Sequence, residues 1–573
     1  MASTHPEVVA NALALLETIE EPHPSGALLA TFITEALKPA AAAHFLSTRL
    51  LAGNAQALVS TWTHIVKSVT SNGTATQQVD RDTRQHIFER DGGKCCITGR
   101  AASIWDPLVV VPVLPLPLGW ITDEKLVNDM LGAFFGSNYR DWWLFYTAHP
   151  DSISPYGSHW LLRKSAAEAF ARGLVRLDRI PQSMIEYEVR HVTLRPHDEI
   201  LINGYFPVLG DHSRCKVPKI DPRFLGTQAR LSQSIQLLQI AQDIKQDEIQ
   251  TVRDLQSRQS RETQALSRPQ SRQRSCLNNV LCKITLTVWL LVPSPVRIKI
   301  YNWLRLIGKA TFKLSDGSST VQRLPFGLYL KSQRDVRAIR DEFAALQLVR
   351  QLTSIPVPQP LDMISTKTTA SQTNDHHDRD DAEPVSYILE SRLPGMPLSN
   401  CQFVLSDREC GRIEEQLAEY LVELRSIPNN ANADRPICSV LGEQCSDTRI
   451  RGGVPVGPFA DEAEFNQNLR FPDHPNRQGH QIVFTHADLN PRNILVGHGL
   501  QADGSVGWGI TGIVDWEMAG YYPEYWDYTK ALFEGFRWTT RYKNVIKSAF
   551  RRLGCYDGEL EIEVQSWESG DGC

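Results

Sequence analysis

The segment His486–Val496 contains residue types that suit the transfer of a phosphoryl group. His486, Asp488 and Asn493 have the spacing His-x-Asp-x-x-x-x-Asn, and a run rich in β-branched residues ends downstream at Asp515. Phosphoryl transfer needs a positioned nucleophile and phosphates whose charge is neutralised by a metal ion. Asp488 is the candidate that orients the acceptor hydroxyl and accepts its proton. Asn493 and Asp515 offer oxygen atoms, the ligands that Mg²⁺ prefers.

Two short strands are expected to hold these residues together. Apolar runs at Ile494–Val496 and Ile510–Val514 flank the turn signal Asp503-Gly504, a pattern that predicts a β-hairpin. Such a hairpin returns Asp515 to the neighbourhood of Asn493. The alternative is that the motif only caps a loop and carries no chemistry.

The second half of the expected site lies upstream. Pro325–Lys331 predicts a strand in which alternation puts Lys331 on the face opposite Leu330. A helical pattern follows, with Glu342 on its apolar face. A carboxylate buried alone is costly, so we expect Glu342 to pair with Lys331, as in the ion pair that seats ATP in kinases. The alternative is two charged ends that reach solvent without touching each other.

These motifs resemble the aminoglycoside phosphotransferase family, in particular its fungal members. Val514–Glu517 followed by Ala519–Tyr528 is similar to the segment that follows the metal-binding aspartate of that family. Trp516-Glu517 stands where protein kinases have Phe-Gly, which favours the small-molecule branch. The resemblance implies a bilobal protein-kinase-like fold and a phosphotransferase that uses ATP and Mg²⁺ to modify a hydroxyl group of a small molecule.

The resemblance also extends to the nucleotide. Ser386–Gly395 looks like the strand and hinge against which adenine lies, with Glu390 at that position. The sequence departs from the kinase pattern before Lys331, where Ile307–Ala310 and Asp316–Ser319 stand in place of a glycine-rich loop. This departure leaves open a pseudokinase-like nucleotide-binding or scaffold protein without catalysis.

The acceptor is not readable from the sequence. A cationic acceptor such as an aminoglycoside needs an acidic pocket, and Asp461, Glu462 and Glu464 form an acidic cluster before the catalytic motif. The start of a solvated helix explains the same cluster equally well.

The N-terminal region carries a shorter motif. Arg90–Gly99 resembles the opening of HNH-endonuclease-like domains, in which histidines bind a metal that activates water. The strand that follows, Leu108–Leu114, has no histidine, and Ala166-Ala167 stands about where a ligand is needed. We therefore expect a degenerate, non-catalytic relative without divalent-dependent DNA cleavage, in which Cys95-Cys96 are core thiols.

Changes in composition and pattern along the chain predict four regions. An N-terminal α+β domain at 1–225 precedes a linker at 226–278 that is rich in Arg, Gln and Ser and changes from helical to flexible. The kinase-like domain follows at 279–562, with a tail at 563–573. The fold class is therefore α+β, and 573 residues are too many for one hydrophobic core.

Composition limits the partners. A formal net charge of -5 gives no overall attraction to nucleic acid, so a nucleic-acid-binding role is disfavoured. The 11 cysteines contain no CxxC pair, which fits a reduced protein of the cytoplasm or the nucleus. The apolar run Val280–Val292 is too short to span a bilayer and predicts a buried helix. A nucleotide and a small molecule, and no membrane, are the expected partners.

Overall fold

The described chain divides into two compact units, residues 1–249 and 250–573. The computed structural model describes residues 5–70, 79–115, 125–149, 152, 154–180, 186–194, 207–210, 212–213, 216–262, 287–311, 320–365, 385–450, 454–501, 504–533 and 535–571. The flexible half of the predicted linker and the segment Asp316–Ser319 lie outside these residues. No helix in the described part is both long enough and apolar enough to cross a membrane.

The first unit combines helices with two small antiparallel sheets. Strand β1 (Leu108–Pro112) pairs with β2 (His159–Arg163), and β3 (Val175–Arg179) pairs with β4 (Tyr187–His191). The helices are α1 His5–Leu16, α2 Ser25–Thr34, α3 Pro39–Leu51, α4 Ala55–Thr70, α5 Arg81–Arg90, α6 Lys125–Phe135, α7 Ser137–Ala148, α8 Pro155–Ser158, α9 Lys164–Ala171 and α10 Pro222–Glu262.

Helix α10 carries the first unit past the predicted domain boundary at residue 225. Gln228 Nε2 donates to Phe170 O at 2.9 Å, and Gln236 Nε2 donates to Gly173 O at 2.7 Å. Leu231 on the same helix is fully buried. The helical half of the predicted linker therefore packs as part of the first unit, because its apolar and amide side chains find partners there.

The second unit contains a four-stranded antiparallel sheet in the order β5-β6-β8-β7 and two three-stranded sheets in the orders β13-β12-β9 and β10-β14-β11. The strands are β5 Val321–Leu324, β6 Leu328–Gln333, β7 Pro360–Ser365, β8 Ser386–Ser391, β9 Met396–Pro397, β10 Cys438–Ser439, β11 Ile482–Thr485, β12 Ile494–Leu500, β13 Val506–Ile513 and β14 Gly520–Pro523. The helices are α11 Ser294–Thr311, α12 Val336–Leu352, α13 Leu398–Cys401, α14 Asp407–Arg425, α15 Glu462–Asn466, α16 Trp526–Leu532, α17 Thr540–Phe550 and α18 Asp557–Ser566.

The four-stranded sheet fixes the direction of Lys331. In the pairing of β6 with β8, Leu330 stands opposite Leu389 and Lys331 stands opposite Ile388. Leu330 and Leu389 belong to one hydrophobic cluster, whereas Ile388 packs in the larger cluster that includes the apolar face of α12. Lys331 is therefore on the face of the sheet that α12 covers, as the alternation of side chains predicts.

Upstream of Lys331, the structure corrects the predicted start of the strand and places a segment that the sequence left unassigned. The predicted strand begins at Leu328 instead of Pro325, because Pro325–Gly327 form a 3₁₀ turn in which Phe326 has a φ of 65° and is 94% exposed. Ile307–Ala310 lies within helix α11, and a Cβ on Gly308 would clash with the backbone oxygen of Arg323. These residues therefore pack against strand β5 and form no loop over a phosphate.

The predicted buried helix at Val280–Val292 is also corrected in part. Residues 287–291 are helical, and Trp289 packs beside the cluster that contains Tyr301. Leu291, however, is 79% exposed. The described end of this run therefore lies at the surface, while 280–286 is outside the described residues.

Candidate functional site

The motif that contains His486, Asp488 and Asn493 lies in the loop between β11 and β12. Asp488 Oδ2 accepts hydrogen bonds from Asn490 Nδ2 at 3.1 Å and from Asn493 Nδ2 at 2.9 Å. Asp488 Oδ1 lies 3.7 Å from Lys530 Nζ, and the Asp488 side chain keeps 22% of its surface exposed. One carboxylate oxygen is thus held by two amides, while the other faces a lysine and the solvent.

His486 ties this loop to the end of β13. Its Nε2 lies 3.0 Å from the carbonyl oxygen of Val514, and its Nδ1 lies 3.2 Å from the backbone N–H of Asp488. A ring that donates from Nε2 and accepts at Nδ1 satisfies both contacts. His486 therefore fixes the distance between the loop that bears Asp488 and the strand that ends at Asp515.

A buried carboxylate that sequence reasoning missed supports the same loop. Asp527, on α16, accepts from the backbone N–H of Ala487 at 2.7 Å and of His486 at 3.2 Å. Ala487 has a φ of 62°, a left-handed conformation that costs free energy in a residue with a Cβ. Asp527 offsets that cost by satisfying the two N–H groups. In the sequence, the dipeptide Trp526-Asp527 is the feature that could have indicated this carboxylate.

The predicted hairpin is present and brings Asn493 to Asp515. Strands β12 and β13 pair in antiparallel register, and the backbone N–H of Val514 donates to Asn493 O at 2.9 Å. Asn493 is 7% exposed and donates its amide hydrogen to Asp488. Asp515 follows β13 with a left-handed φ of 70°.

Lys331 stands at the centre of a group of carboxylates. Its Nζ lies 2.9 Å from Glu342 Oε2, so the predicted strand-to-helix ion pair is present. The same nitrogen lies 2.5 Å from Asp515 Oδ1 and 2.8 Å from Glu517 Oε2. Gln333 Nε2 also donates to Glu517, at 2.6 Å. Burial alone would lower the pKa of Lys331, but the carboxylates raise it, so the ammonium stays charged.

Glu390 lies on the same face of the four-stranded sheet as Lys331. It stands opposite Tyr329 in the pairing of β8 with β6, two residues from the Ile388–Lys331 pair. Its Oε2 is buried and has no hydrogen-bond partner among the described residues. Burial, with the charge of Glu342 added, raises the pKa of Glu390 to about 8. The raised pKa favours the protonated form of Glu390, which can donate a hydrogen bond.

A second charged group, also missed by sequence reasoning, orients Asp488 from the other side. Lys530 Nζ lies between Asp488 and Asp447, 3.6 Å from Asp447 Oδ1. Arg449 Nη2 contacts Asp447 Oδ2 at 2.9 Å, and Trp526 Nε1 donates to the same oxygen at 2.9 Å. Burial alone would raise the pKa of Asp447, but Arg449 and Lys530 lower it to about 2. Asp447 therefore stays ionised and anchors Lys530.

The acidic cluster before the motif is occupied by local contacts. Asp461 accepts from the backbone N–H of Glu464 and caps α15. Glu462 pairs with His480 at 2.6 Å, and Glu464 pairs with Arg435 at 3.3 Å. These carboxylates serve a helix start, a mostly buried pair with His480 and a surface pair with Arg435, so local contacts account for the cluster.

Similar solved structures are aminoglycoside phosphotransferases. A thermostable mutant of aminoglycoside phosphotransferase APH(4)-Ia in its apo form is 13% identical, covering 45% of this chain and 87% of that one, with a TM-score of 0.30. The GDP and kanamycin complex of APH(2")-IIia is 17% identical, covering 47% of this chain and 87% of that one, with a TM-score of 0.29. No curated protein matches the chain.

The family is identified by a match over the C-terminal half. Residues 311–560 match the model of the phosphotransferase enzyme family named APH. The matched range includes the loop of Asp488 and Asn493, the Lys331 group with Glu342 and Asp515, and Glu390. The C-terminal half of this chain therefore contains a domain of the APH phosphotransferase family.

Proposed function

We propose that this domain is an ATP- and Mg²⁺-dependent phosphotransferase that transfers the γ-phosphoryl group to a hydroxyl group of a small molecule. The observation that carries the proposal is the group of contacts around Lys331, in which one ammonium lies 2.5–2.9 Å from three carboxylates. One positive and three negative charges leave a surplus of negative charge around a buried ammonium, with Glu342 buried beside it and Asp515 and Glu517 partly open to solvent. A divalent cation held by these carboxylates would offset that surplus.

The donor atoms of the site fit Mg²⁺. Oxygen atoms of Glu342, Asp515 and Glu517 lie within 4.8 Å of one another, and hard cations prefer oxygen ligands. Asp515 and Asn493 would hold the ion, because the amide hydrogens of Asn493 turn to Asp488 and leave its amide oxygen as a ligand. When bound, Mg²⁺ neutralises charge on the phosphates.

Two further residues would bind the nucleotide. Lys331, oriented by its ion pair with Glu342, is suited to contact the α- and β-phosphates. Glu390 carries a buried carboxyl oxygen without a partner. Because its raised pKa favours the protonated form, Glu390 can donate to an acceptor atom of the bound nucleotide.

Asp488 would act on the acceptor. Asn490 and Asn493 hold its Oδ2, so Oδ1 is the oxygen that takes the proton of the acceptor hydroxyl. As that O–H bond breaks, the acceptor oxygen forms a bond to the γ-phosphorus. The bond from the γ-phosphorus to the bridging oxygen breaks, and ADP leaves. Burial raises the pKa of Asp488 against the effect of Lys530, which makes it a better proton acceptor.

The test is nucleotide-dependent stabilisation. We expect ATP to raise the unfolding temperature only when Mg²⁺ or Mn²⁺ is present, with a gain of about 2.7 kcal/mol at a ligand concentration of about one hundred times Kd. EDTA should abolish the shift. Absence of stabilisation across the millimolar range of ATP with either metal would refute the proposal.

One observation favours a second candidate, a pseudokinase-like nucleotide-binding or scaffold protein. Ile307–Ala310 is helical and packed against β5, so this segment supplies no loop over the phosphates. Such a protein would bind Mg²⁺·ATP without turnover. The intact set of Lys331, Asp488 and Asp515 favours the enzyme, and slow ATP hydrolysis that depends on Asp488 distinguishes the two.

A further inference from the structure

A cavity of about 120 Å³ lies beside the loop that carries Asp488. Pro491 of that loop forms one wall, and the other walls come from α13, α14, α17 and the turn before α17. The apolar part of its lining consists of Leu398, Leu405, Cys410, Pro491, Trp538 and Val545. An apolar cavity only slightly larger, about 150 Å³, accommodates one benzene molecule. The cavity therefore has the size and chemistry to receive a single ring or a short branched chain.

One polar group in this lining has no partner. Tyr542 is 6% exposed, and its hydroxyl forms no hydrogen bond with any described residue. A buried hydroxyl without a partner costs free energy, and a ligand oxygen in the cavity would remove that cost. Burial, with the charge of Asp488 added, raises the pKa of Tyr542, so the hydroxyl keeps its proton and is available as a donor.

The charges at the cavity disfavour a polycation. Two arginines, Arg537 and Arg541, belong to its lining, and no carboxylate does among the residues that the structure describes. Arg541 pairs with Asp407 at 3.1 Å and donates to Leu405 O at 3.0 Å. The guanidinium of Arg492 lies 5.6 Å from the centre of the Trp538 ring. An amine-rich acceptor would find no described carboxylate in this lining to pair with.

We propose that this cavity binds the acceptor, and that the acceptor is an uncharged alcohol with an apolar group of ring size. Tyr542 donates a hydrogen bond to an oxygen of this molecule. The hydroxyl to be modified reaches Asp488, which takes its proton as the oxygen forms a bond to the γ-phosphorus and ADP leaves. This inference rests on the proposed phosphotransferase function and names its substrate class.

The probe is benzyl alcohol, with kanamycin as the polycationic comparison, on the full chain with Mg²⁺·ATP. We expect benzyl phosphate, detected by ³¹P NMR and mass spectrometry, and no phosphorylated kanamycin. Tyr542→Phe should raise KM for benzyl alcohol between about twofold and tenfold, the worth of one hydrogen bond, with little change in kcat. Val545→Phe, which fills the cavity, should abolish turnover of benzyl alcohol.

Tyr521→Phe is the matched control, because the Tyr521 hydroxyl donates to Pro428 O at 2.9 Å and does not line the cavity. It should leave KM for benzyl alcohol unchanged. If Val545→Phe does not fold, the comparison of Tyr542→Phe with Tyr521→Phe decides alone. An equal KM for these two variants would overturn the assignment of Tyr542.

Binding is measured separately from turnover by saturation-transfer NMR with benzyl alcohol. Bound Mg²⁺·ATP without any contact of benzyl alcohol, or phosphorylation of kanamycin in preference to it, would overturn this inference while leaving the phosphotransferase function intact. Loss of Mg²⁺·ATP binding would instead refute the proposed function. In that case a benzyl alcohol signal that Val545→Phe removes still supports the cavity as a binding site, and its absence rejects it.

Discussion

Each unit has a buried cation beside a buried carboxylate, and the two groups differ in their balance of charge. In the first unit, Arg90 and Asp91 form one ion pair at 2.7 Å, with side chains 1% and 2% exposed. Arg90 also donates to His159 O at 2.9 Å and to Pro218 O at 3.2 Å. Asp91 accepts from the backbone N–H of Leu161 at 2.9 Å. One cation meets one anion, and their remaining capacity is used by the backbone.

In the second unit, Lys331 faces three carboxylates, and a fourth carboxyl group, Glu390, keeps an oxygen without a partner among the described residues. Buried charges that are fully paired hold the backbone together, whereas surplus charge is destabilising unless a ligand binds. Burial of charge alone therefore does not mark a functional site. An excess of carboxylates over cations, as around Lys331, is the stronger indication of a candidate site.

The largest expected effect is on turnover and distinguishes the role of Asp488 from that of Asp515. Asp488→Asn keeps the size of the side chain but removes the proton acceptor, so turnover should fall by about 10²–10⁴ while Mg²⁺·ATP binding survives. Asp515→Asn should instead weaken Mg²⁺·ATP binding, because it removes a charge from the metal site. Titration with Mg²⁺·ATP and a turnover assay measure the two effects.

The roles of the two aspartates would be wrong if the result were inverted, with binding lost in Asp488→Asn and kept in Asp515→Asn. Turnover of Asp488→Asn equal to that of the unmodified protein would mean that the activity comes from another site. Asp473→Asn serves as a control, since Asp473 belongs to neither the motif nor the Lys331 group.

The second prediction concerns the buried ion pair of Arg90 and Asp91. Arg90→Met leaves Asp91 buried without its cation, which should lower the free energy of unfolding of the first unit by about 3–5 kcal/mol. Mg²⁺·ATP binding should be unchanged. Urea denaturation followed by circular dichroism measures the loss, and the transition that Mg²⁺·ATP does not shift is assigned to the first unit.

The matched control is Arg49→Met. Arg49 pairs with Asp129 at 2.7 Å, but both side chains are 34% exposed, so its removal should cost less than about 1 kcal/mol. Equal losses of unfolding free energy in Arg90→Met and Arg49→Met would show that burial does not make the Arg90–Asp91 pair more stabilising than the exposed pair. A change in ATP binding in Arg90→Met would contradict its assignment as a structural pair.

The parts of the site that were predictable are those that the sequence encodes locally. Apolar runs on both sides of Asp503-Gly504 predict the hairpin. Helical periodicity puts Glu342 on an apolar face, and the cost of burying a lone carboxylate there predicts its pair with Lys331. These elements are short, and each is fixed by its own side-chain pattern. The structure contains both the hairpin and the ion pair.

The parts that were missed depend on contacts between distant segments. Lys530 reaches Asp447 and Asp488 from α16, and no periodicity in the sequence indicates that approach. The same holds for the cavity at Tyr542, whose walls come from separate helices. The segment Ile307–Ala310 was left without an assignment, and the structure shows that Gly308 packs closely against the backbone of Arg323. The resemblance of Arg90–Gly99 to HNH-like domains stays a prediction.

The smallest expected effect is a pH dependence of the stability of the second unit, which arises from the carboxyl groups of Glu342 and Glu390 near Lys331. Burial raises the pKa of Glu342 against the effect of Lys331, and raises that of Glu390 to about 8. The folded protein then binds protons more tightly than the unfolded chain, so its stability falls as pH rises from the ordinary carboxyl range toward pH 8. Without nucleotide, we expect a loss on the order of 1 kcal/mol, the worth of about one pKa unit.

The measurement is the free energy of unfolding of the second unit from about pH 5 to about pH 8, the range over which a raised carboxyl group titrates. Glu390→Gln removes the titrating group and should flatten the profile, whereas Glu419→Gln, at an exposed position of α14, should not. Mg²⁺ should also flatten it, because a bound cation compensates the surplus negative charge. The Arg90–Asp91 pair carries no surplus, so the first unit should not share this dependence. A profile that rises with pH, or one that Glu390→Gln leaves unchanged, would contradict the charge imbalance on which the comparison rests.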